Sequence, residues 1–299
     1  MSLEPEMLVN ILFATLAGFL SRWSLLKVDF RQNPTYPNGY LIHLMIGLIA
    51  SAVGAISVPA LLAKDYVAIT FLFLAFEHFR DVRKIEASSL EYLDKAHYYP
   101  RGAAYIDGIA KTFESRNYLA IVVSLTTITA ILATGGVFSR TMSITTAAFA
   151  AIAAHILINR FIKGQVIKAV ADIEIGEISF RNHNVYVNDI YVANIGLEVM
   201  KKRILERGIG VLIKPKGENE KIMLNNIGQR QAIEHECSRL LGLEKYIESR
   251  RDFETGNIGM VIIPIRKEPK SLIHIIENVP LLEIVKKQAR STGGNINEK

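Results

Sequence analysis

Acidic and basic side chains crowd together in three stretches of this 299-residue chain. The first is Asp29-Phe30-Arg31-Gln32-Asn33-Pro34-Thr35-Tyr36-Pro37-Asn38-Gly39, whose two prolines and glycine fix its backbone. Arg31 and Tyr36 suit a membrane interface there, either as a rigid turn with an aromatic anchor or as a phosphate headgroup or partner contact. The second is Glu77-His78-Phe79-Arg80-Asp81-Val82-Arg83. On a helix Glu77 and Asp81 share a face, as do Glu77 and Arg80, with Arg83 nearby. Such groups form either arginine–carboxylate pairs at the membrane boundary or a polar pocket in which one carboxylate acts as acid or base. The third runs from Arg101 to Tyr118 and holds Tyr105, Asp107, Glu114 and Arg116, with Gly102 and Gly108 bracketing an amphipathic turn. It reads as an interfacial helix, or as one that turns Asp107 toward the same pocket as Glu77 and Asp81. Two converging carboxylates share a proton, so one serves as base while the other serves as acid. Salt bridges to Arg80, Arg83, Arg101 or Arg116 would instead hold them ionised and inert.

The elements that must position these groups are of two kinds. Half of the chain is hydrophobic, 21% is charged, and mean hydropathy is +0.23. Soluble domains carry about 25% charged residues and a more polar average, so a disordered chain is excluded, and either a membrane protein or a membrane part fused to a soluble part is expected. The apolar residues collect before position 163 in five runs: Met7–Leu20, Tyr40–Leu62, Tyr66–Phe79, Tyr118–Phe138 and Met142–Ile162. A span needs roughly 20 residues, so the first and third are short. Glu4 and Glu6 precede the first run with no Lys or Arg, the wrong charge for a signal peptide, so a retained helix is expected. Lys and Arg favour the cytoplasm. They cluster after runs one, three and five, whereas the other side holds only Lys64, Arg140 and the terminal amine. Five spans with the N-terminus outside and the C-terminus inside satisfy every loop.

From about Gly164 charges recur every few positions. Asp172 to Phe180 alternates as a half-buried strand does, and Asn188-Asp189 marks a hairpin between Val185–Val187 and Ile190–Val192. Helices are expected over 197–207, ending at Gly208, over 226–241, ending at Gly242, and over 271–276 and 281–290, split near Pro280. Ile209–Ile213 and Gly259–Ile265 read as strands, plausibly neighbours, and Lys214–Glu220 as a polar loop. The predicted organisation is a membrane domain at 1–163 with cytoplasmic loops 22–39 and 80–117, an α+β cytoplasmic domain at 164–290, and a flexible tail at 291–299.

Several chemistries find no support. Single Cys237 excludes an intrachain disulfide and a cysteine-based zinc site. His235 follows Glu234 but no second histidine stands four residues later, so the zincin motif is missing and His235 is expected on a helix surface. His155 is expected to bond a backbone carbonyl between helices. No P-loop, G-x-S-x-G or dinucleotide fingerprint stands in its required context. The net charge of +6 reports membrane orientation, and the tail, with 18 acidic against 21 basic residues from Gly164, gives no sign of nucleic acid. No cofactor and no metal are expected.

Tyr105-Ile106-Asp107-Gly108-Ile109-Ala110 resembles the signature of the YIEGIA family of membrane proteins of endospore-forming bacteria. The Arg-Gln-x-Pro-Thr-Tyr-Pro pattern of the first loop, Phe79-Arg80-Asp81-Val82-Arg83 and Phe113-Glu114-x-Arg116-Asn117-Tyr118 resemble that family too, in the same order. Asp107 stands where the family name spells glutamate, one methylene shorter with the charge kept. The resemblance implies a sporulation-associated integral membrane protein of a forespore or mother-cell membrane, without a settled reaction.

Two functions are expected from these features. In the first, the helices sit in the lipid bilayer and anchor a cytoplasmic domain that binds a sporulation or spore membrane protein partner. The interfacial loops would help, with Arg31, Tyr36, Arg80, Arg83, Arg101, Tyr105, Glu114 and Arg116 as binding residues. The alternative is a membrane-embedded protease in which Glu77, Asp81 and Asp107 activate water. A transporter is the weakest reading, because no inverted repeat and no polar row appear.

Overall fold

The computed structural model describes residues 5–26, 37–97, 99–162 and 164–294. The chain divides into two compact units, Met1–Ser89 with Ile109–Lys163, and Leu90–Gly108 with Gly164–Lys299. The stretch 90–108, expected within a loop of the membrane domain, therefore groups with the C-terminal part.

The first unit is helical: α1 (Pro5–Ser24), α2 (Pro37–Leu62), most of α3 (Tyr66–Asp94), most of α4 (Ala103–Thr134) and α5 (Arg140–Ile162). Pro5–Ser24, Tyr40–Leu62, Ala103–Thr134 and Arg140–Ile162 are long and apolar enough to cross a membrane. The third run is the first half of the 29-residue α3, whose second half is charged, and α3 is not among those four. Small residues let the helices approach closely. A Cβ on Gly54 would run into the Ile121 carbonyl and the Ser124 hydroxyl, which is the close small-residue contact that packs helices where no hydrophobic effect drives them. Hydroxyls in this apolar setting bond back to their own helices, as Ser51 does to the Gly47 carbonyl at 2.8 Å and Thr127 to Val123 at 2.6 Å. Ala50, Val53, Phe79, Ala120 and Ile121 form one core cluster, joined by Ile46, Leu72 and Ala75. Large apolar side chains such as Phe71, Phe73, Phe149 and Phe161 point outward, the surface a lipid environment stabilises.

In the second unit, β1 (Ala171–Gly176), β5 (Ile209–Pro215), β7 (Ile258–Pro264) and β6 (Leu243–Arg251) form an antiparallel sheet in the order β1-β5-β7-β6. The meander β2 (Ile178–Arg181), β3 (Asn184–Val187) and β4 (Ile190–Asn194) forms a second sheet. The expected Asp172–Phe180 strand is thus two strands that part at Glu177 into different sheets. Val185, Val187, Val192, Ile204, Val261 and Ile263 form a core that joins both sheets to α6 (Glu198–Arg207). The apolar runs 209–213 and 258–262 pair directly, with Ile213 opposite Ile258. α7 (Glu218–Asn225), α8 (Ile227–Leu241), α9 (Pro269–Glu277) and α10 (Glu283–Gly294) complete the unit. The Asn226 side chain accepts from the N–H groups of Gly228 and Gln229 and so starts α8. Gly242, at φ +70°, stops it.

Candidate functional site

In the second unit, the stretch before the Tyr105 motif folds against α8. Asp94 ends α3 and turns its carboxylate back on the chain, accepting the Arg101 N–H at 2.7 Å and the Gly102 N–H at 3.2 Å. Gly102 sits at φ +83°, and a Cβ there would strike the Gln231 amide, so glycine alone makes the corner that starts α4. From that corner Tyr105 enters the core at 2% exposure and donates to Glu236 Oε1 at 2.9 Å. Glu236 also accepts from Arg239 Nη2 at 2.6 Å. Arg101 is 2% exposed, and its Nε and Nη1 have no hydrogen-bond partner among the described residues. Burial lowers its pKa, and Asp94 opposes that shift.

His235, expected on a helix surface, is instead 3% exposed. Its Nδ1 donates to the Tyr99 carbonyl at 2.7 Å, and its Nε2 is buried without a hydrogen-bond partner among the described residues. Burial lowers its pKa, which keeps the ring neutral. The helix packs this side inward because a chain segment far upstream in sequence covers it, which no local pattern of α8 discloses. Next to it, burial raises the Glu234 carboxyl to about 7, with Glu248 adding to the rise and a Ser249 hydrogen bond opposing it. Burial likewise pushes the Cys237 thiol up, so it is poorly suited to act as a nucleophile.

Within the first unit a second polar cluster joins four helices. Arg22 on α1 is fully buried, donates through Nε to Asn117 Oδ1 at 3.1 Å, and lies 5.3 Å from the Phe113 ring centroid. The His43 ring on α2 packs tilted against Phe113, with centroids 4.5 Å apart, and faces Glu86 on α3 at 3.8 Å. His43 and Glu86 are absent from the sequence-derived candidates. The available signal was an ionisable residue inside or beside an apolar run, which by default marks function or a buried pair. His155 bonds the Ser21 hydroxyl at 2.7 Å and not the expected backbone carbonyl.

The sequence-derived candidates fall apart into these settings. Glu77 and Asp81 are exposed and pair along their own helix, Glu77 with Arg80 at 3.7 Å and Asp81 with Lys84 at 3.2 Å. Arg83 meets Glu114 at 3.7 Å, and Arg116 is buried in the first unit. Asp107 belongs to the other unit, where it lines a cavity of about 360 Å³ with Ala103, Gly108 and Glu283. Arg31 and Tyr36 lie outside the described residues.

The match to known proteins runs over almost the whole chain. The family described as YIEGIA protein matches residues 10–292. This chain belongs to the YIEGIA family. The uncharacterized protein YphB of Bacillus subtilis (strain 168) is 40% identical over 282 residues, covering 91% of this chain and 92% of that one. No solved structure matches. Within the YIEGIA signature of this chain, Tyr105 and Ile106 are core residues of the second unit and Asp107 faces a cavity. The segment therefore anchors through its aromatic and aliphatic positions, while Asp107 stands at the cavity wall.

Proposed function

We propose that the protein is an integral membrane protein of sporulation, with five spans, whose cytoplasmic α+β unit binds a protein partner of a forespore or mother-cell membrane. Two packing facts support the span count. Arg22, His43, Glu86 and Asn117 belong to one connected cluster, so they share a depth in the bilayer. The chain between His43 and Glu86 then leaves and returns, which needs both α2 and the first half of α3 to cross. The 14 residues Tyr66–Phe79 span about 21 Å at 1.5 Å per residue, short of the ~30 Å hydrocarbon core, a mismatch that local thinning absorbs. Similarly, 90–108 and the C-terminal region make one compact unit and so lie on one side, which requires an even number of crossings between them. The Lys and Arg residues that cluster on that side support a cytoplasmic location for it.

The observation that carries the binding role is the engagement of Arg101, Gly102 and Tyr105 with Asp94, Gln231 and Glu236. These positions build a folded module, and Glu77 and Asp81 are engaged by basic neighbours on their own helix. Replacing Asp107 by Asn should leave protein level and spore properties intact. Comparing spore membrane proteomes with and without the protein should show loss of a partner. A second reading, a membrane protease, draws on the cavity that Asp107 and Glu283 both line, since two carboxylates reaching one water can divide acid and base roles. That reading gains if Asp107→Asn abolishes function at normal protein level and specific membrane proteins accumulate.

A further inference from the structure

The end of α3, the turn just after it and the middle of α8 bring together three side chains with metal-ligating atoms, of which the proposed function uses only Asp94, as an acceptor of backbone N–H groups. We infer that Asp94, His97 and His235 form a binding site for a divalent transition metal of the zinc class. Their ligand atoms all lie within 4.8 Å of one another. Asp94 Oδ1 stands 3.5 Å from His97 Nδ1, and the His97 and His235 rings are 5.6 Å apart between centroids. Ligands on a tetrahedral ion sit about 2.0–2.2 Å from the metal, so the group must contract slightly. His97 is the member free to turn inward, at 42% side-chain exposure.

An independent observation points to a ligand. His235 is almost completely buried and its Nε2 has no partner among the described residues. An unmatched polar atom in that position carries a desolvation cost. The carbonyl of Tyr99 can only accept, so Nδ1 of His235 carries the proton and Nε2 presents its lone pair. Metal-bound histidines take this form, with the second nitrogen fixed by a backbone carbonyl. Asp94 is similarly oriented by two backbone N–H groups and retains lone pairs.

The surroundings select the kind of ion. Around the triad stand Arg101 and Arg239 as cations and Glu236 as an anion besides Asp94, so the charges balance without a metal. Hard cations such as Ca²⁺ and Mg²⁺ depend on many oxygen ligands and net negative charge. Two imidazoles and one carboxylate instead favour ions that bond nitrogen strongly, such as Zn²⁺, Co²⁺, Ni²⁺ and Cu²⁺. Three protein ligands leave one position for water.

The test uses the full-length protein in detergent, purified through a tag without histidines and with no chelator. Elemental analysis after equilibration with Zn²⁺ should give about one ion per chain, and Co²⁺ should give the visible absorption of a tetrahedral nitrogen–oxygen site. Zn²⁺ should raise the melting temperature of the wild type. His97→Ala should lose the ion, the absorption and the metal-dependent rise, while His183→Ala and His274→Ala keep all three. His235→Ala should behave as His97→Ala does. If its buried substitution prevents folding, the half-exposed His97 variant decides alone. Absence of stoichiometric Zn²⁺ and Co²⁺ from the wild type, or their full retention in His97→Ala, overturns the assignment.

Discussion

Tyr105→Phe is the most direct test of whether the signature segment anchors the second unit. The substitution deletes one hydroxyl and keeps the ring, so packing is preserved. The lost bond runs to the carboxylate of Glu236 at 2.9 Å in a buried setting. Hydrogen bonds to charged groups contribute about 1.5–3 kcal/mol. Glu236 keeps Arg239, whose Nη2 lies 2.6 Å from Oε2 and whose Nε lies 3.4 Å from Oε1. The carboxylate is therefore not stranded, and the lower end of the range, about 1.5 kcal/mol, is expected. For a unit of about 150 residues, each kcal/mol moves the melting temperature by about 2–4 °C, so a fall of about 3–6 °C follows. The assay is thermal melting of the detergent-solubilised protein, with Tyr92→Phe, an exposed tyrosine of α3, as control. The same change in a Glu236→Gln background should cost clearly less, because the pair is coupled. An unchanged melting temperature, or an equal loss in both backgrounds, would refute the argument.

Other outcomes follow from the same packing. Glu234 holds its proton up to about pH 7 in the folded state against an ordinary 4.5, so the folded state binds more protons between those values and stability falls as pH rises through that window. The loss is at most about 3 kcal/mol, less with solvent screening, and Glu234→Gln should flatten the melting profile between pH 5 and 8. Gly102→Ala places a side chain at φ +83° against Gln231 and should destabilise the second unit by about 1–3 kcal/mol, read by the same melting assay. Gly54→Leu should disrupt the first unit, since its side chain would enter Ile121 and Ser124; loss of monodisperse protein in detergent is the readout. Native Cys237 should resist thiol reagents until the protein unfolds, because it is fully buried, and mass spectrometry of labelled protein checks this.

The parts of the fold that could be read in the sequence are those whose signal is local. Ile209–Ile213 and Ile258–Ile262 are central strands buried on both faces, so each reads as an unbroken apolar run. Asn226 and Gly242 mark both ends of α8 by capping chemistry. β6 escaped notice because it is an edge strand carrying Glu244, Lys245, Glu248, Arg250 and Arg251, which hide its alternation. The polar loop expected over Lys214–Glu220 takes in the end of β5 and the first turn of α7, because that turn is acidic and only Leu224 of the helix is fully buried. The sites were much less legible. The burial of His235 depends on Tyr99, and the pairing of Arg22 with Asn117 joins residues far apart in the chain. Such contacts depend on tertiary packing, which no local period records.

The division of the second unit into two chain segments has a consequence for synthesis. Asp94, Arg101 and Tyr105 are synthesised before Ile109–Lys163, and the α8 partner Glu236 comes later still. At roughly 5–20 residues per second, translating that intervening segment alone takes about 3–11 s. During this interval Tyr105 and Ile106, both destined for a core, have no core to enter. Completion of the second unit thus waits on synthesis of the intervening helices. A chain whose two segments fail to meet leaves Tyr105 and Ile106 without their core and displays an unfinished domain to proteolytic quality control.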